Sequence, residues 1–182
     1  AGCHGKSTTT AMLGAAFSDR NATVHVGVAD GSKVGADKFF ITEACEYRAS
    51  FLHLSPDVGV VLNVGYDHPD FYRNEAELID AYKKFCANCK KVIVNGDDPL
   101  CRGLAENAVY FGTSPDCAYR ATDVQNRDGM RAFYLTGKKR ARVNLAVAGE
   151  HSVYNALATI AAACECGLSL TETLPHISKF RG

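Results

Sequence analysis

The sequence predicts an α/β fold in which a mostly parallel β-sheet is flanked by helices and carries a small antiparallel β appendix. Three observations support this prediction. Apolar runs of strand length alternate with helical patterns over most of the chain, which is typical of a parallel sheet covered by helices. A Gly-rich loop of the P-loop type at the amino end leads directly into a helix. Between residues 119 and 147 the pattern changes to polar, alternating segments, which favour antiparallel pairing.

The elements of the first part of the chain follow from these patterns. They are a helix at residues 6–17, strands at 23–28, 39–43 and 58–64, an amphipathic helix at 75–85, and strands at 92–95 and 109–112. The turn residues Gly96, Asp97, Asp98 and Pro99 stop the strand at 92–95, and we also expect a helix to begin there.

The last part of the chain combines the appendix with two helices. The predicted elements are strands at residues 119–124, 130–135 and 141–146, and helices at 151–166 and 169–178. Gly167 ends the first helix, and Ser169 or Thr171 caps the second. The 182 residues, 47% of them apolar, suit one compact domain without repeats or an internal boundary. Because no strand precedes the Gly-rich loop, we expect residues 1–182 to be an excised domain of a longer protein.

Composition argues against several classes of function. The 20 basic and 20 acidic residues cancel and neither sign forms a long block, so we expect no nucleic-acid partner and no binding to an anionic membrane. No apolar stretch reaches the roughly eighteen residues that span a bilayer, and the first residues do not have the pattern of a signal peptide. These features favour a cytoplasmic protein.

The 8 cysteines are predicted to be reduced thiols, because the core is large and no export signal is visible. Cys86 and Cys89 form a C-x-x-C motif near the end of a predicted helix, without a second ligand pair at zinc-finger spacing. We interpret them as packing thiols rather than as a metal or redox site.

The first residues have the pattern of a phosphate-binding loop, Gly2-Cys3-His4-Gly5-Lys6-Ser7. Glycines allow successive backbone N–H groups to point at an anion, Lys6 reaches the β and γ phosphates, and the Ser7 hydroxyl is placed to bind Mg²⁺. Thr8 continues into the helix, whose amino end faces the phosphates. Only the second half of the motif G-x-x-x-x-G-K-[ST] is visible, because its first glycine would precede residue 1. The alternative is an ordinary helix cap with a solvated lysine.

Metal ligands for a bound triphosphate are expected at the ends of neighbouring strands. Glu46 follows the predicted strand at 39–43, and Asp67 and His68 follow the strand at 58–64. Each group alone is weak evidence, because strand-end turns are polar in most proteins. Ligands of open α/β sheets lie beyond the carboxyl ends of the strands, so these groups and the loop together predict one site.

These residues resemble the motifs of the Mur ligase family. The loop resembles the family's G-T-H-G-K-T-T, and residues 43–54 resemble its E-A-D-E-S-D-x-S-F-L. Residues 63–72 match N-I-x-x-D-H-x-D-x-Y, and residues 149–156 are similar to G-x-H-N-x-x-N-A. Residues 180–182 are similar to the start of F-x-G-x-x-R-R. The order and spacing of these motifs cover almost the whole chain. The segment at 43–54 favours the alanine-adding branch of the family.

The resemblance implies a nucleotide site. Its members would be Gly2, Cys3, His4, Gly5, Lys6, Ser7, Thr8, His151 and Asn155. Lys6 would polarise the terminal phosphates of ATP, Asn155 would read the adenine edge, and His151 would lie near the base or the ribose.

The resemblance also implies two Mg²⁺ ions. Ser7 and Glu46 would hold the first ion, and His68 would hold a second ion that bridges the γ phosphate and the substrate carboxylate. Lys6, Glu46 and His68 are therefore the predicted catalytic residues. Asn63 and Asp67 would contact these residues rather than the metal ions.

The chain departs from the family pattern at three places. The D-E-S-D core is Cys45-Glu46-Tyr47-Arg48, which keeps the metal-binding Glu and loses two carboxylates. Ser152 stands where the family has Asn beside the histidine. Pro69 directly follows His68, and its fixed φ stiffens that loop.

By resemblance, the intact enzyme would use ATP to phosphorylate the lactyl carboxylate of UDP-N-acetylmuramate, and the amine of L-alanine would attack the acyl phosphate. Flanking domains would bind the UDP-sugar and close over ATP and the amino acid, so the excised domain would bind nucleotide weakly and ligate nothing. Alternatives are a related ligase that recycles murein tripeptide or adds glutamate to folate, and a P-loop kinase or GTPase-like switch. A further alternative is a degenerate domain that has lost activity and only docks with partners.

Overall fold

Within residues 1–27 and 31–182, which the computed structural model describes, the chain forms nine strands and four α-helices. The strands are β1 (Thr23–His25), β2 (Ser32–Lys33), β3 (Phe40–Thr42), β4 (Val58–Val61), β5 (Lys91–Asn95), β6 (Val109–Gly112), β7 (Tyr119–Arg127), β8 (Met130–Gly137) and β9 (Ala141–Ala148). The helices are α1 (Lys6–Ala16), α2 (Glu75–Ala87), α3 (His151–Glu165) and α4 (Leu170–Lys179), with short 3-10 helices at Ser18–Arg20 and Tyr47–His53.

The main sheet has six strands in the order β4-β5-β6-β7-β8-β9. β4 to β7 run parallel, and β7 to β9 form an antiparallel meander. The meander continues the main sheet because β7 pairs with β6 at Phe111 and Gly112. The prediction of a mostly parallel sheet with an antiparallel appendix is therefore confirmed.

A second sheet, in the order β2-β1-β3, lies apart from the main one, where the sequence predicted a single sheet. The main chain of Ala1, and not that of β3, pairs with the end of β4: the Leu62 N–H donates to the Ala1 carbonyl at 3.0 Å. β3 and β4 are left on opposite sides of a groove of about 410 Å³. Val28, the last residue of one predicted strand, lies outside the described residues.

Side-chain caps fix the starts of two helices. The Asn74 side chain accepts from the Glu77 N–H at the amino end of α2. At α4, the Ser169 hydroxyl accepts from the Glu172 N–H while the Glu172 carboxylate accepts from the Ser169 N–H, which forms a capping box. Of the two caps proposed from the sequence, Ser169 is the one the structure uses.

Helices cover the main sheet on both faces. Along β5, Ile93 packs with Met12 of α1 and Ala161 of α3, whereas its neighbour Val94 packs in a second cluster with Tyr82 of α2. Successive residues of a strand point to opposite faces, so a strand buried on both sides must be apolar at every position. This explains why the central strands appear in the sequence as continuous apolar runs.

The helix expected to begin near Asp98 is absent from the described residues, and that prediction was wrong. Residues 97–103 form turns instead. The Asp98 carboxylate accepts from the Leu100 N–H at 2.8 Å, as a helix cap would, but its other oxygen accepts from the Val64 N–H at 2.9 Å. This second bond fixes the segment against the end of β4.

The described part of the chain includes all 8 cysteines, and each is a free thiol. The prediction of reduced thiols agrees with this arrangement. None of the helices in the described ranges has the length and apolar character needed to cross a membrane.

Glu165, at the carboxyl end of α3, joins the helix to three strand regions. Its side chain is 9% exposed and accepts from Lys91 at 2.7 Å, Lys138 at 2.8 Å and the Tyr119 hydroxyl at 2.9 Å. Burial by itself would raise the pKa of Glu165, but the hydrogen bonds from Lys138, Lys91 and Tyr119 outweigh burial and lower the pKa to about 2.

We expect Glu165→Gln to lower the free energy of unfolding by about 1–2 kcal/mol at pH 7, because it removes the charge from these bonds. The folded-state pKa of Glu165 lies below its ordinary value of 4.5, so the stabilisation is present above pH 4.5 and disappears as the pH falls toward 2. Urea unfolding at pH 7 and pH 3 measures the effect, with exposed Glu106→Gln as control. An equal loss at both pH values would contradict the prediction.

Candidate functional site

The phosphate-binding loop depends on two glycines with left-handed backbone. Gly2 has a φ of 137°, and a Cβ at this position would lie 3.1 Å from the Asn63 carbonyl oxygen. Gly5 has a φ of 82° and precedes the first residue of α1. Among the described residues, no side chain caps the amino end of α1. Its first N–H groups are therefore available to an anion.

Two reciprocal contacts hold the loop to the segment after β4. The His4 N–H donates to the Asn63 side-chain oxygen, and the Asn63 amide donates back to the His4 carbonyl, both at 3.0 Å. The Cys3 thiol donates to the Gly65 carbonyl and accepts from the Gly65 N–H, also at 3.0 Å. Burial raises the pKa of the Cys3 thiol, which keeps it protonated as the donor. Cys3, which stands where the resembled motif has Thr, therefore has a structural role in holding the loop.

Lys6 projects from the first turn of α1 and forms an ion pair with Glu46. Its ammonium donates to the two Glu46 carboxylate oxygens at 2.9 and 3.1 Å and to the Gly2 carbonyl at 2.5 Å. The Glu46 side chain is 1% exposed and that of Lys6 is 18% exposed. A buried carboxylate requires such a partner, because desolvation of a lone charge is costly.

Glu46, Asp67 and His68 form a carboxylate–imidazole cluster beside this ion pair. One ligand atom from each residue lies within 4.8 Å of the others. His68 Nε2 is 3.6 Å from Glu46 Oε1 and 3.8 Å from Asp67 Oδ2. Asp67, which the resemblance gave a supporting place, therefore lies among the possible ligands. Two carboxylates and an imidazole are donors suited to a divalent cation.

Asn155, in the second turn of α3, lies directly against the loop. A Cβ at Gly5 would be 2.7 Å from the Asn155 side-chain oxygen. The residue is 4% exposed, and its Nδ2 has no hydrogen-bond partner in the described residues. A buried amide donor of this kind is suited to a ligand acceptor such as a purine nitrogen.

The remaining predicted site residues surround this centre. His151 is exposed at the start of α3, and its ring lies over Gly149. Ser7 is half-buried at the second position of α1, and Thr8 beside it is exposed. The structure thus brings Lys6, Glu46 and His68 into contact, while the ligand-binding roles of the whole set stay predictions.

Sequence reasoning missed the part played by Asp97. Its carboxylate accepts from the N–H groups of Thr113 and Ser114 and from the Tyr154 hydroxyl of α3. Burial would raise the pKa of Asp97, but the hydrogen bonds from Ser114 and Thr113 outweigh burial and lower it to about 2. Asp97 thereby links the carboxyl ends of β5 and β6 to the helix that carries Asn155. The sequence signal that could have revealed this role is the position of Asp97 in the Gly-Asp-Asp-Pro turn.

The geometry combines an anion-binding loop, a lysine and a cluster of possible metal ligands at one end of the sheet. These are the parts needed to bind a nucleoside triphosphate and to neutralise charge during phosphoryl transfer. Among the described residues, the site places no serine or cysteine nucleophile beside a base. The loop, Lys6 and the cluster of possible ligands support positioning and charge neutralisation.

Comparisons with known proteins agree with this geometry. Residues 1–163 match the profile of the Mur ligase middle domain. The UDP-N-acetylmuramate–L-alanine ligase of Limosilactobacillus reuteri is 34% identical over 189 residues, which cover 100% of this chain and 43% of the relative. The chain therefore spans less than half the length of that relative.

Two solved structures show the same fold. The UDP-N-acetylmuramate-alanine ligase of Thermotoga maritima superposes with a TM-score of 0.88 at 27% identity, over 100% of this chain and 44% of that one. The MurF ligase of Thermotoga maritima, solved in complex with ADP, superposes with a TM-score of 0.79 at 17% identity, over 100% of this chain and 47% of that one.

We expect Gly5→Ala to destabilise the protein by about 1 kcal/mol or more beyond the cost of Gly103→Ala. Both glycines are left-handed, with φ values of 82° and 84°. A methyl group at Gly5 meets Asn155, whereas no described atom lies within 4 Å of one at Gly103. Urea unfolding of the two variants measures the difference, and equal losses would show that Asn155 does not constrain the loop.

Proposed function

The chain belongs to the Mur ligase family, and we propose that it is the ATP-binding domain of an enzyme that joins L-alanine to UDP-N-acetylmuramate. Relatives with this activity in their names match the whole of this chain, which supports the proposal. Because the chain spans 43% of those relatives, we assign the UDP-sugar site, and the domain that closes over ATP and the amino acid, to regions outside residues 1–182.

The observation that carries the proposal is the convergence of Lys6, Glu46 and His68 beside the loop. Lys6 Nζ is 2.9 Å from Glu46 Oε1, and His68 Nε2 is 3.6 Å from the same oxygen. Triphosphate chemistry needs a cation and metal ligands near the γ phosphate. All three residues also stand at the positions that the family resemblance assigns to this task.

Lys6 changes partners in the proposed mechanism. When the β and γ phosphates enter the loop, the ammonium donates to them and the Glu46 carboxylate is released for a cation. The uncapped N–H groups at the amino end of α1 would donate to the same phosphates, whereas the His4 N–H already donates to the Asn63 side chain. Asn155 Nδ2 would donate to the adenine ring. One Mg²⁺ held by Ser7 and Glu46, and a second held by His68, would supply the positive charge that offsets repulsion between the carboxylate and the triphosphate.

The reaction needs two displacements. A carboxylate oxygen of UDP-N-acetylmuramate bonds to the γ phosphorus, and the bond from this phosphorus to the bridging oxygen of ADP breaks. The L-alanine amine then bonds to the acyl carbon, inorganic phosphate leaves, and the nitrogen loses a proton. Lys6 stabilises the charge that develops on the transferring phosphoryl group, so the protein needs no covalent intermediate of its own.

We expect the chain to bind ATP more tightly than GTP, and to bind ATP more tightly when Mg²⁺ is present. His68→Gln should reduce the gain from Mg²⁺ by at least about 10-fold, because even the loss of a residue that orients a metal ligand costs about 10–100-fold. Titration calorimetry measures these affinities, with exposed His53→Gln as the matched control. Equal affinity for ATP and GTP, or no effect of Mg²⁺, would contradict the proposed function.

We expect the 182-residue chain to form no amide product, because the sites for the UDP-sugar and the amino acid lie elsewhere in this proposal. A longer protein that includes those regions should use L-alanine when L-alanine, murein tripeptide and L-glutamate are offered in parallel with ATP. Product detection by chromatography is the measurement. Consumption of tripeptide or glutamate instead would assign the chain to another branch of the family.

A further inference from the structure

Tyr47 packs its ring against the imidazole of His68. The two ring centroids are 4.7 Å apart, and the planes are tilted by 44°. The Arg48 guanidinium lies over the Tyr47 ring, 5.3 Å from its centroid. Tyr47 is thus part of the contact surface of His68, whose Nε2 points toward Glu46 and Asp67. The resembled motif has a serine at this position, and a serine has no ring to pack against the imidazole.

The backbone that carries Tyr47 is strained. Arg48 and Ala49 have φ values of 51° and 53°, in the left-handed region that costs a non-glycine residue about 1–2 kcal/mol. Hydrogen bonds over-determine the conformation: the Ala49 N–H donates to the Glu46 carbonyl at 3.0 Å, and the Phe51 N–H donates to the Cys45 carbonyl at 2.9 Å. Strain maintained in this way next to a possible metal ligand is typical of functional sites.

A second contact fixes Tyr47 to the loop of His68. The Tyr47 hydroxyl donates to the Asp70 carboxylate at 3.1 Å. His68 itself has a φ of 58° and is followed by Pro69, so the loop turns sharply at the histidine. From the other side, the Tyr72 hydroxyl donates to the Glu46 carbonyl at 2.6 Å. The two tyrosines therefore join the segments that supply Glu46 and His68.

We infer that Tyr47 is a positioning residue that holds the His68 imidazole toward Glu46 and Asp67 for metal binding. The inference rests on the proposed function, because His68 is a ligand only if the site binds a divalent cation. The ring supplies the surface against which the imidazole lies, and the hydroxyl keeps the His68 loop at that surface. A side chain that must find its orientation after the metal arrives loses conformational entropy on binding, and a preoriented one loses less.

The test uses Mn²⁺ as the probe ion with the ATP-bound chain, followed by electron paramagnetic resonance. Tyr47→Ser should weaken Mn²⁺ binding about 10-fold, whereas Tyr47→Phe, which keeps the ring, should remain within about threefold of wild type. In the double variant Tyr47→Ser/His68→Gln, the loss should not exceed that of His68→Gln alone, because Tyr47 acts through His68. Losses that multiply would overturn the inference.

A second readout requires neither nucleotide nor metal. The ring of Tyr47 should shift the NMR signals of the His68 imidazole protons, and this ring-current shift should persist in Tyr47→Phe and disappear in Tyr47→Ser. Tyr134→Ser is the matched control, because Tyr134 also lies under an arginine, 5.3 Å from the Arg142 guanidinium, on a strand of the meander. It should change neither the His68 signals nor Mn²⁺ affinity.

The outcomes separate this inference from the proposed function. A wild-type chain that binds neither ATP nor Mn²⁺ would contradict the proposed function. A wild-type chain that binds Mn²⁺, together with a Tyr47→Ser variant that binds it equally well, would overturn the positioning role alone. Unchanged His68 signals in Tyr47→Ser would overturn it as well.

Discussion

The buried ion pair between Lys6 and Glu46 is the interaction on which the candidate site depends. It joins the amino end of α1 to the segment after β3, 40 residues away in the sequence. Removing one partner from a buried pair commonly costs about 3–5 kcal/mol, because the remaining charge is left desolvated. The two groups therefore need each other while the site is free of ligand. An incoming phosphate can replace the Glu46 carboxylate as the partner of Lys6, and a cation can replace Lys6 as the partner of Glu46. Ligand binding can therefore break the ion pair without leaving either charge unpaired.

Local signals in the sequence predicted the phosphate-binding loop and the helix that follows it. Gly2 and Gly5 have the left-handed backbone that their positions require, and Lys6 lies where the motif places it. Glu46 and His68 could be placed near the loop because each follows the carboxyl end of a strand, although β3, which precedes Glu46, belongs to the small sheet. The loop, the fold class and the composition of the site thus depend on short-range patterns.

The features that escaped prediction depend on contacts between distant segments. The same Gly-Asp-Asp-Pro residues could begin a helix or form a turn, and the bond from Val64 to Asp98 favours the turn. The small sheet is separate from the main one, and Ala1 rather than β3 pairs with the residue that follows β4, which no periodicity reveals. The contact of Tyr47 with His68 requires left-handed backbone at Arg48 and Ala49, residue types that rarely adopt it. Tertiary constraints of this kind leave no regular trace in a single sequence.

The distribution of the thiols makes one of them a useful handle for chemical labelling. Burial raises the pKa of Cys86 to about 12 and that of Cys117 to about 11, so these sulfurs are almost never nucleophilic thiolates at neutral pH. Cys45, by contrast, is exposed and immediately precedes Glu46. An electrophilic fluorophore would therefore react first at a position one residue from the centre of the site, where its emission could report directly on changes in the surrounding charge.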